Sequence, residues 1–475
     1  MNTKYLYINT IGCQMNVYDS EQISRILKPL QYNITSSPEK ADLIIANTCA
    51  IREKAEQKVF SFLGRLARLK RKKPDLILGV GGCVAQQEGL NMLKRVPYLD
   101  LVFGTHAIGR LPDMIERIEA KKCRIVDVEM PEGIDEPVFS VDTDDKDRVT
   151  SFVTIMQGCD NYCTYCVVPF VRGRETSRRP EKIVSEVRSL AESGIKEVTL
   201  LGQNVNSFGK KEMLCSFPEL LSLINEIDGL LRIRFTTSHP KDLSDDLIYA
   251  FKNLDKLCSH IHLPVQSGSD RVLKRMNRKY FRDYYLGKVD KLRNICPEIA
   301  ITSDFIVGFP GETENDFNET LDLIKTVQYD DIFAFKYSDR PNVPSALFRH
   351  KISEQEKKDR LIELLKSQEY YTKKRNEVLV GSIQSILVEG LSKRQLKTEA
   401  NSENIYQNIQ CTGRTSTNKI VNFIPNNDTS FHGGNFSGRL INVRIEKALS
   451  HSLQGIPVTT PTLPSPSKGE GVGGR

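Results

Sequence analysis

The chain has 475 residues, of which 39% are hydrophobic and 27% charged, with a formal net charge of +7. At roughly 100–200 residues per domain this makes two to four cores, and no apolar run approaches the ~18–20 residues of a membrane span, so a wholly disordered chain and a membrane protein are both excluded. The mild basic excess permits a nucleic-acid partner without requiring one, and a start without a signal peptide's long apolar stretch makes a cytoplasmic protein the expectation.

The 11 cysteines are an odd number. In a reducing compartment and a chain this long they are not a disulfide framework, so each is either a metal ligand or an ordinary thiol. Residues 1–125 alternate apolar β-prone runs with helical patterns. The runs Leu6–Ile11, Leu43–Ala46 and Leu76–Val80 end at Cys13, Cys49 and Cys83, and helical patterns follow over Ser20–Leu30, Arg52–Arg71 and Ala85–Leu93. Continuous apolar runs followed by helices read as a parallel sheet. The strand ends of such a sheet share one edge, where open α/β sheets bind ligands. Three cysteines at equivalent strand ends therefore converge in space and form one candidate ligand set; three buried core thiols are the other reading. The basic run Arg65–Lys73 reads as a solvated helix end. Residues 126–148 read as a linker.

The next segment contains Cys159, Cys163 and Cys166 within eight residues. Zinc sites normally close four-coordination with a second cysteine pair, and none lies nearby; three thiolates suit an iron–sulfur cube with one iron left open. A structural zinc remains the alternative. Residues 149–376 carry six strand candidates, Phe152–Met156, Val198–Leu201, Ile233–Thr236, His260–Leu263, Ile301–Ile306 and Ile332–Phe335, separated by helices. Six βα units read as a complete or partial parallel barrel with its chemistry at the strands' C-terminal ends. Gly202–Asn204, Thr237–Pro240, Pro264–Gly268 and Gly308–Glu312 collect at those ends and read as a cofactor rim. His239 and His262 read as structural.

Glu354–Val378 is a charged amphipathic helix. Beyond it, Ser382–Val388, Ile420–Phe423 and Leu440–Ile445 read as strands of a small all-β barrel over residues 377–447, with the basic residues Arg414, Lys419, Arg439 and Arg444 scattered through it. Residues 448–475, rich in Pro, Gly, Ser and Thr from His451 onward, read as a disordered tail.

The blocks Gly12-Cys13-Gln14-Met15-Asn16, Asn47-Thr48-Cys49-Ala50-Ile51-Arg52, Gly82-Cys83-Val84-Ala85-Gln86 and Val168-Pro169-Phe170-Val171-Arg172-Gly173-Arg174-Glu175 join the Cys159–Cys166 spacing and Gly413-Arg414-Thr415 with Asn418-Lys419. Together they resemble the methylthiotransferase family of radical S-adenosylmethionine (SAM) enzymes over residues 1–447. The resemblance implies an α/β chain of three parts: a flavodoxin-like parallel-sheet domain, a partial (β/α)6 TIM-type radical SAM barrel and a C-terminal TRAM barrel. Sister branches typically read Cys-Pro-Lys-Asn, acting on a ribosomal-protein aspartate, or Cys-Lys-Val-Asn, acting on threonylcarbamoyl-adenosine in tRNA. Cys13-Gln14-Met15-Asn16 matches neither and points to the branch acting on isopentenylated adenosine.

That branch implies methylthiolation of C2 of N6-isopentenyladenosine beside the tRNA anticodon, using two SAM molecules and two [4Fe-4S] clusters. Cys159, Cys163 and Cys166 would hold the SAM cluster; Cys13, Cys49 and Cys83 would hold an auxiliary cluster that carries sulfur. Tyr165 would pack near the SAM adenine, with Gln203, Asn204, Ser238, Gln266 and Asp304 as further SAM contacts. Arg172, Arg174, Arg178, Arg179, Arg414 and Lys419 would contact the anticodon stem-loop. An electron donor such as flavodoxin or ferredoxin and a sulfur source are implied partners, with no membrane, and the protein is expected to be a monomer. Asn401–Gln410 departs from the family pattern. A sister-branch enzyme and a zinc-stabilised RNA-binding module are the competing readings.

Overall fold

A computed structural model describes residues 3–50, 53–131, 133, 148–393, 395, 409–425 and 436–458. The chain divides into two compact units, residues 1–372 and 373–475. The first begins with a six-stranded parallel sheet: β1 (Lys4–Ile11), β2 (Tyr32–Ile34), β3 (Leu43–Thr48), β4 (Ile77–Gly82), β5 (Leu101–Phe103) and β6 (Ile125–Asp127). The spatial order is 2-1-3-4-5-6. Helices α1 (Gln14–Leu27), α2 (Glu53–Lys72), α3 (Cys83–Glu88), α4 (Leu90–Arg95) and α5 (Leu111–Lys121) cover it. Alternate strand residues point to opposite faces. Ile44, Ala46, Leu78 and Val80 pack with Val59, Leu63 and Leu66 of α2, whereas Leu43, Ile45 and Ile77 pack with Ile23 of α1 and with Met114 and Ile115 of α5. Burial on both faces is why these strands read as unbroken apolar runs. Strand order reverses between β1 and β3, which makes their C-terminal ends the sheet's switch point.

The barrel strands follow: β7 (Thr150–Thr154), β8 (Met156–Gln157), β9 (Thr176–Ser177), β10 (Glu197–Leu201), β11 (Arg232–Phe235), β12 (His260–His262), β13 (Ala300–Val307) and β14 (Asp331–Lys336). They form two parallel trios, β7-β10-β11 and β12-β13-β14, while β8 and β9 make a separate antiparallel pair. One parallel bridge, Ile233 to Leu257, links β11 to the segment just before β12. All six expected strands are present, each within two residues of its predicted bounds. A single core joins both trios through Val153, Leu200, Ile233, Ile261, Ile301 and Ile332. The helices α6 (Val168–Val171), α7 (Pro180–Glu192), α8 (Phe217–Asn225), α9 (Asp245–Asn253), α10 (Asp270–Arg275), α11 (Arg282–Ile295), α12 (Glu314–Val327) and α13 (Glu354–Glu377) complete the element order up to the small barrel. Their starts are marked locally, for example by the capping boxes Ser216 with Glu219 and Thr313 with Asp316.

The second unit is a closed five-stranded barrel of β15 (Ile383–Leu391), β16 (Cys411–Thr415), β17 (Ile420–Phe423), β18 (Leu440–Ala448) and β19 (Leu453–Pro457), in the order 15-16-17-19-18. Its core is Ile386, Val388, Cys411, Val421, Phe423, Val443, Ile445 and Leu453. This corrects the expected boundary at residue 447 and the reading of residues 448–475 as disordered from the start. Leu453–Pro457 is the strand that closes the barrel, pairing Val421 with Leu453 on β17 and Ala448 with Leu453 on β18. Without it β17 and β18 would expose unpaired backbone edges. Proline-rich composition beyond Pro457 masked a strand too short to dominate a window. Residues 459–475, and the unusual stretch 401–408, lie outside the described residues. Among the described residues no helix is long and apolar enough to cross a membrane.

Leu453 is fully buried. Leu453→Ala is expected to cost about 2–4 kcal/mol, read as a lowered midpoint for the barrel in chemical denaturation. An unchanged midpoint would return this segment to the tail.

Candidate metal centres

Cys13, Cys49 and Cys83 stand just past β1, β3 and β4, the strands that flank the switch point. Cys13 takes the N-cap position of α1, and Cys83 opens α3. A polar clamp fixes the turns that carry them. The Asn16 side-chain oxygen accepts from the Cys13 backbone N–H at 3.2 Å and from its thiol at 3.3 Å. The Asn16 amide donates to Asn47 Oδ1 and to the Thr48 carbonyl, both at 3.1 Å, and Asn47 donates back to the Asn16 carbonyl at 2.9 Å. Thr48 Oγ1 donates to the Gly81 carbonyl at 2.6 Å, and the Cys49 N–H to the Ile11 carbonyl at 3.0 Å. Gly82 has φ +88°, and a Cβ there would stand 2.4 Å from the Thr48 carbonyl oxygen, so only glycine lets β4 turn into Cys83 against its neighbour.

The thiols sense one another. A hydrogen bond from Cys49, then the charge of Arg172 and the N–H groups of Asn16 and Met15, hold Cys13 down at about 6 despite burial. Burial pushes Cys83 up, with Arg172 opposing. Arg172 is 4% exposed, and its Nη2 donates to Asp19 Oδ2 at 2.7 Å. Burial works against its charge, but Asp19, then Cys83 and Cys13, more than offset that and keep it a cation.

The second set lies on the loop between β8 and α6, beyond the C-terminal end of β7. Gly158 enters it with φ +77°, and a Cβ there would meet the Arg174 carbonyl oxygen at 2.1 Å. The Gly158 N–H donates to Gln203 Oε1 at 2.5 Å, and Cys166 N–H to the Cys163 carbonyl at 3.0 Å, which folds the loop back on itself. Thr164 is pinned by its Oγ1 on the Arg275 carbonyl at 2.9 Å and its N–H on the Met276 carbonyl at 3.1 Å. Asn161 Nδ2 donates to the Cys159 thiol and Arg278 Nη1 to the Cys163 thiol, each at 3.5 Å. Burial pushes Cys159 up to about 11. Burial, then the thiolate charges of Cys163 and Cys159, push Cys166 up to about 12. A positive centre bound here would take Cys159 and Cys166 as thiolates against that burial. Among the described residues no three such side chains close on a point as the ligands of one ion do.

The structure sorts the expected SAM contacts. Asn204 donates to Asp242 Oδ2 at 2.9 Å but its own Oδ1 is buried without a partner, as is Ser238 Oγ. Orphaned polar atoms at strand ends fit a polar ligand that completes them. Gln203 is engaged with Gly158 and with the Met15 sulfur. Gln266 adopts φ +78° and pairs by backbone with Asp304 and Ile306. Asp304 faces His262, 3.5 Å away. Tyr165 packs on Val272, Met276, Phe309 and Tyr337, with its hydroxyl 3.3 Å from Arg278. His239 is buried and held neutral by burial, with Nδ1 accepting from the Lys241 N–H at 3.2 Å. Its Nε2 has no partner, so it is not the satisfied structural histidine expected.

Comparison with known proteins agrees with this geometry. The family description "Uncharacterized protein family UPF0004" matches residues 5–104, and "Radical SAM superfamily" matches residues 153–324. A tRNA-2-methylthio-N(6)-dimethylallyladenosine synthase from Desulfosudis oleivorans is 54% identical, covering 96% of this chain and 97% of the relative. Proteins of the same name from Geobacter metallireducens and Syntrophus aciditrophicus are 51% and 50% identical, covering 95% and 96% of this chain and 98% and 95% of their own. The chain belongs to this synthase family. Among solved structures, the radical SAM methyltransferase TsrM from Kitasatospora setae, with cobalamin and a [4Fe-4S] cluster bound, superposes with TM-score 0.54 at 12% identity, over 73% of this chain and 77% of its own, which shows a shared fold.

Within the synthase family frame, two expected RNA contacts are corrected. Arg172 is buried against Asp19 and the first cysteine set. Arg178 is 2% exposed, with Nη1 donating to the Thr154 carbonyl at 2.6 Å and to Glu186 at 2.8 Å. Neither reaches a phosphate; each neutralises a buried carboxylate. Arg174 and Arg179 are exposed, Arg174 forked onto Asp160 at 2.9 and 3.1 Å. Arg414 pairs with Glu389 at 2.8 Å beside the turn carrying Lys419, both in the second unit. Asn16, Asp19 and Arg278 were missed by sequence reasoning. Asp19 carried a signal: Met15, Asp19 and Ile23 lie one helical turn apart on the buried stripe of α1, and an acid there needs a cation.

Arg172→Met leaves the Asp19 carboxylate buried and unpaired and is expected to cost about 3–5 kcal/mol. Adding Asp19→Asn should recover much of it, while Arg174→Ala stays within about 0.5 kcal/mol. Anaerobic denaturation of the reduced apoprotein measures all three, and equal effects for Arg172 and Arg174 would contradict the burial.

Proposed function

We propose that the chain methylthiolates C2 of N6-isopentenyladenosine beside the tRNA anticodon, as a radical SAM tRNA methylthiotransferase. The observation that carries this reading is the presence, in one compact unit, of two separate three-cysteine sets, each on turns beyond the C-terminal ends of parallel strands. Cys159, Cys163 and Cys166 hold one [4Fe-4S] cluster and leave an iron for SAM; Cys13, Cys49 and Cys83 hold the other. Bound clusters and SAM supply the one-electron chemistry that an unactivated aromatic C–H requires, since no side-chain base removes such a proton.

The chain's own residues bind, orient and insulate. Asn16 and Asn47 hold the first set's turns in register. Gln203 ties the second set's loop, through Gly158, to the end of β10. Ser238 and Asn204 offer their unpartnered oxygens to SAM, and Tyr165 walls the site. Arg174 and Arg179 in the first unit, and Arg414 and Lys419 in the second, supply phosphate contacts. An unpaired loop base is the usual target of RNA recognition and costs little to extrude. The domains are then residues 1–127, to the end of β6, the barrel over 149–376, and a TRAM barrel from 377 extended to Pro457. The protein works as a cytoplasmic monomer, with a small redox protein such as flavodoxin or ferredoxin as electron donor and a separate sulfur source.

Anaerobically reconstituted protein should carry about eight irons and eight sulfides per chain. With SAM, a reductant and tRNA lacking the modification, mass spectrometry of nucleosides should show the 2-methylthio product. Changing Cys159, Cys163 and Cys166 together to Ala should halve the iron and abolish SAM cleavage. Changing Cys13, Cys49 and Cys83 to Ala should also halve the iron but leave SAM cleavage without methylthio transfer. Zinc in place of iron, or product only from threonylcarbamoyl-adenosine tRNA or a ribosomal protein, would overturn the assignment. Arg179→Ala should weaken tRNA binding and flatten its salt dependence, one phosphate contact being lost.

A further inference from the structure

Arg278 follows α10 and is 4% exposed. Its guanidinium donates from Nη1 to the Cys163 thiol at 3.5 Å and the Tyr165 hydroxyl at 3.3 Å, from Nε to the Tyr280 hydroxyl at 2.9 Å, and from Nη2 to the Pro264 carbonyl at 2.5 Å. None of these is a carboxylate. Four other deeply buried arginines differ. Arg172 pairs with Asp19, Arg178 with Glu186, Arg234 with Glu197 and Arg360 with Glu312, at 2.7 to 2.9 Å. A guanidinium cannot shed its proton, and a buried charge is normally kept with an opposite one. Of the four groups that Arg278 touches, the Cys163 sulfur is the one that the proposed cluster would take as a thiolate.

We propose that Arg278 is the counter-charge of the cluster held by Cys159, Cys163 and Cys166, a positioning residue that raises that cluster's reduction potential. This rests on the assignment of those cysteines to a redox cluster. Three thiolates leave the cluster's immediate shell negative, and one electron from the external donor makes it more so. A fixed cation and an N–H···S hydrogen bond both stabilise the reduced form over the oxidised one, and the buried site screens neither. No bond to Arg278 forms or breaks. Arg172 supplies an internal contrast, since it touches Cys83 but is neutralised by Asp19.

The test uses the full chain carrying Cys13→Ala, Cys49→Ala and Cys83→Ala, so that only one cluster is read, with Arg278 kept, changed to Lys or changed to Met. Each protein is reconstituted anaerobically, its iron counted, and its cluster titrated potentiometrically by electron paramagnetic resonance. R278M is expected to hold full iron and titrate at a lower potential than the parent, with R278K, which keeps the charge, between them. Loss of iron from R278M but not from R278K also supports the counter-charge. R278M titrating with the parent at full iron overturns it, as do equal displacement or equal iron loss in R278M and R278K, which mark a packing residue. A parent without iron or signal would instead overturn the cluster assignment.

Discussion

The ion pair between Arg172 and Asp19 is the interaction on which the placement of both cysteine sets depends. It joins residues 153 positions apart at 2.7 Å with almost no solvent contact. Arg172 ends the short segment that begins just after Cys166. Val167 and Val171 of that segment pack in the core beneath α2 and α3, and the Thr105 hydroxyl donates to the Val171 carbonyl at 2.8 Å. The loop carrying the second set is thus anchored in the sheet that carries the first. A buried pair of this kind is conditional, because either charge alone would be costly to leave in place. The pair therefore selects one geometry more than it adds stability.

Both sets use the same device from parallel-sheet architecture. A strand's C-terminal end delivers a residue to a shared edge, and a tight turn then starts a helix. Thiols at helix starts lie near unpaired N–H groups, which favours the thiolate. Cys13 is held down first by a hydrogen bond from Cys49, then by the charge of Arg172, with the backbone N–H groups of Asn16 and Met15 adding this effect last. In the second set burial, then the charges of Cys163 and Cys159, push Cys166 up although the Val168 N–H and Arg278 act the other way. Arg278 is a buried cation fixed beside Cys163 of that second set.

What was legible in the sequence follows from periodicity and spacing. Strands β3 and β4 were readable because burial on two faces leaves continuous apolar runs, and β1 and the six barrel strands because each is a short apolar, β-prone run followed by a helical pattern. The six cysteines were readable because their positions repeat relative to those runs. Strands β2, β5 and β6 have three residues each, too few for a pattern. The expected helix Ala85–Leu93 breaks at Gly89 into α3 and α4. Arg172 and Arg178 failed for a different reason. Arg172's partner lies 153 positions away and Arg178's eight, on the next helix, so in both cases the basic motif itself looks the same on the surface and in the core. The partners' own helices held the information. Asp19 and Glu186 each sit on a buried stripe, Glu186 between Ile183 and Leu190. Arg278 had no such cue, sitting among Lys274, Arg275 and Lys279 like any solvated basic run.

The excess of seven positive charges is therefore a poor guide to RNA binding in this chain. Arg172, Arg178, Arg234, Arg278 and Arg360 are all buried and serve internal anions or cluster thiolates. Of the four basic positions in the Arg172–Arg179 segment, two face inward and two outward. Fewer outward charges mean fewer phosphate contacts, and the salt dependence of binding scales with that number. Recognition of the anticodon loop must then rest more on fitting and stacking one unpaired base than on a broad basic surface. That division suits the proposed reaction, in which a single C–H would have to be positioned and electrostatic attraction alone would not do so.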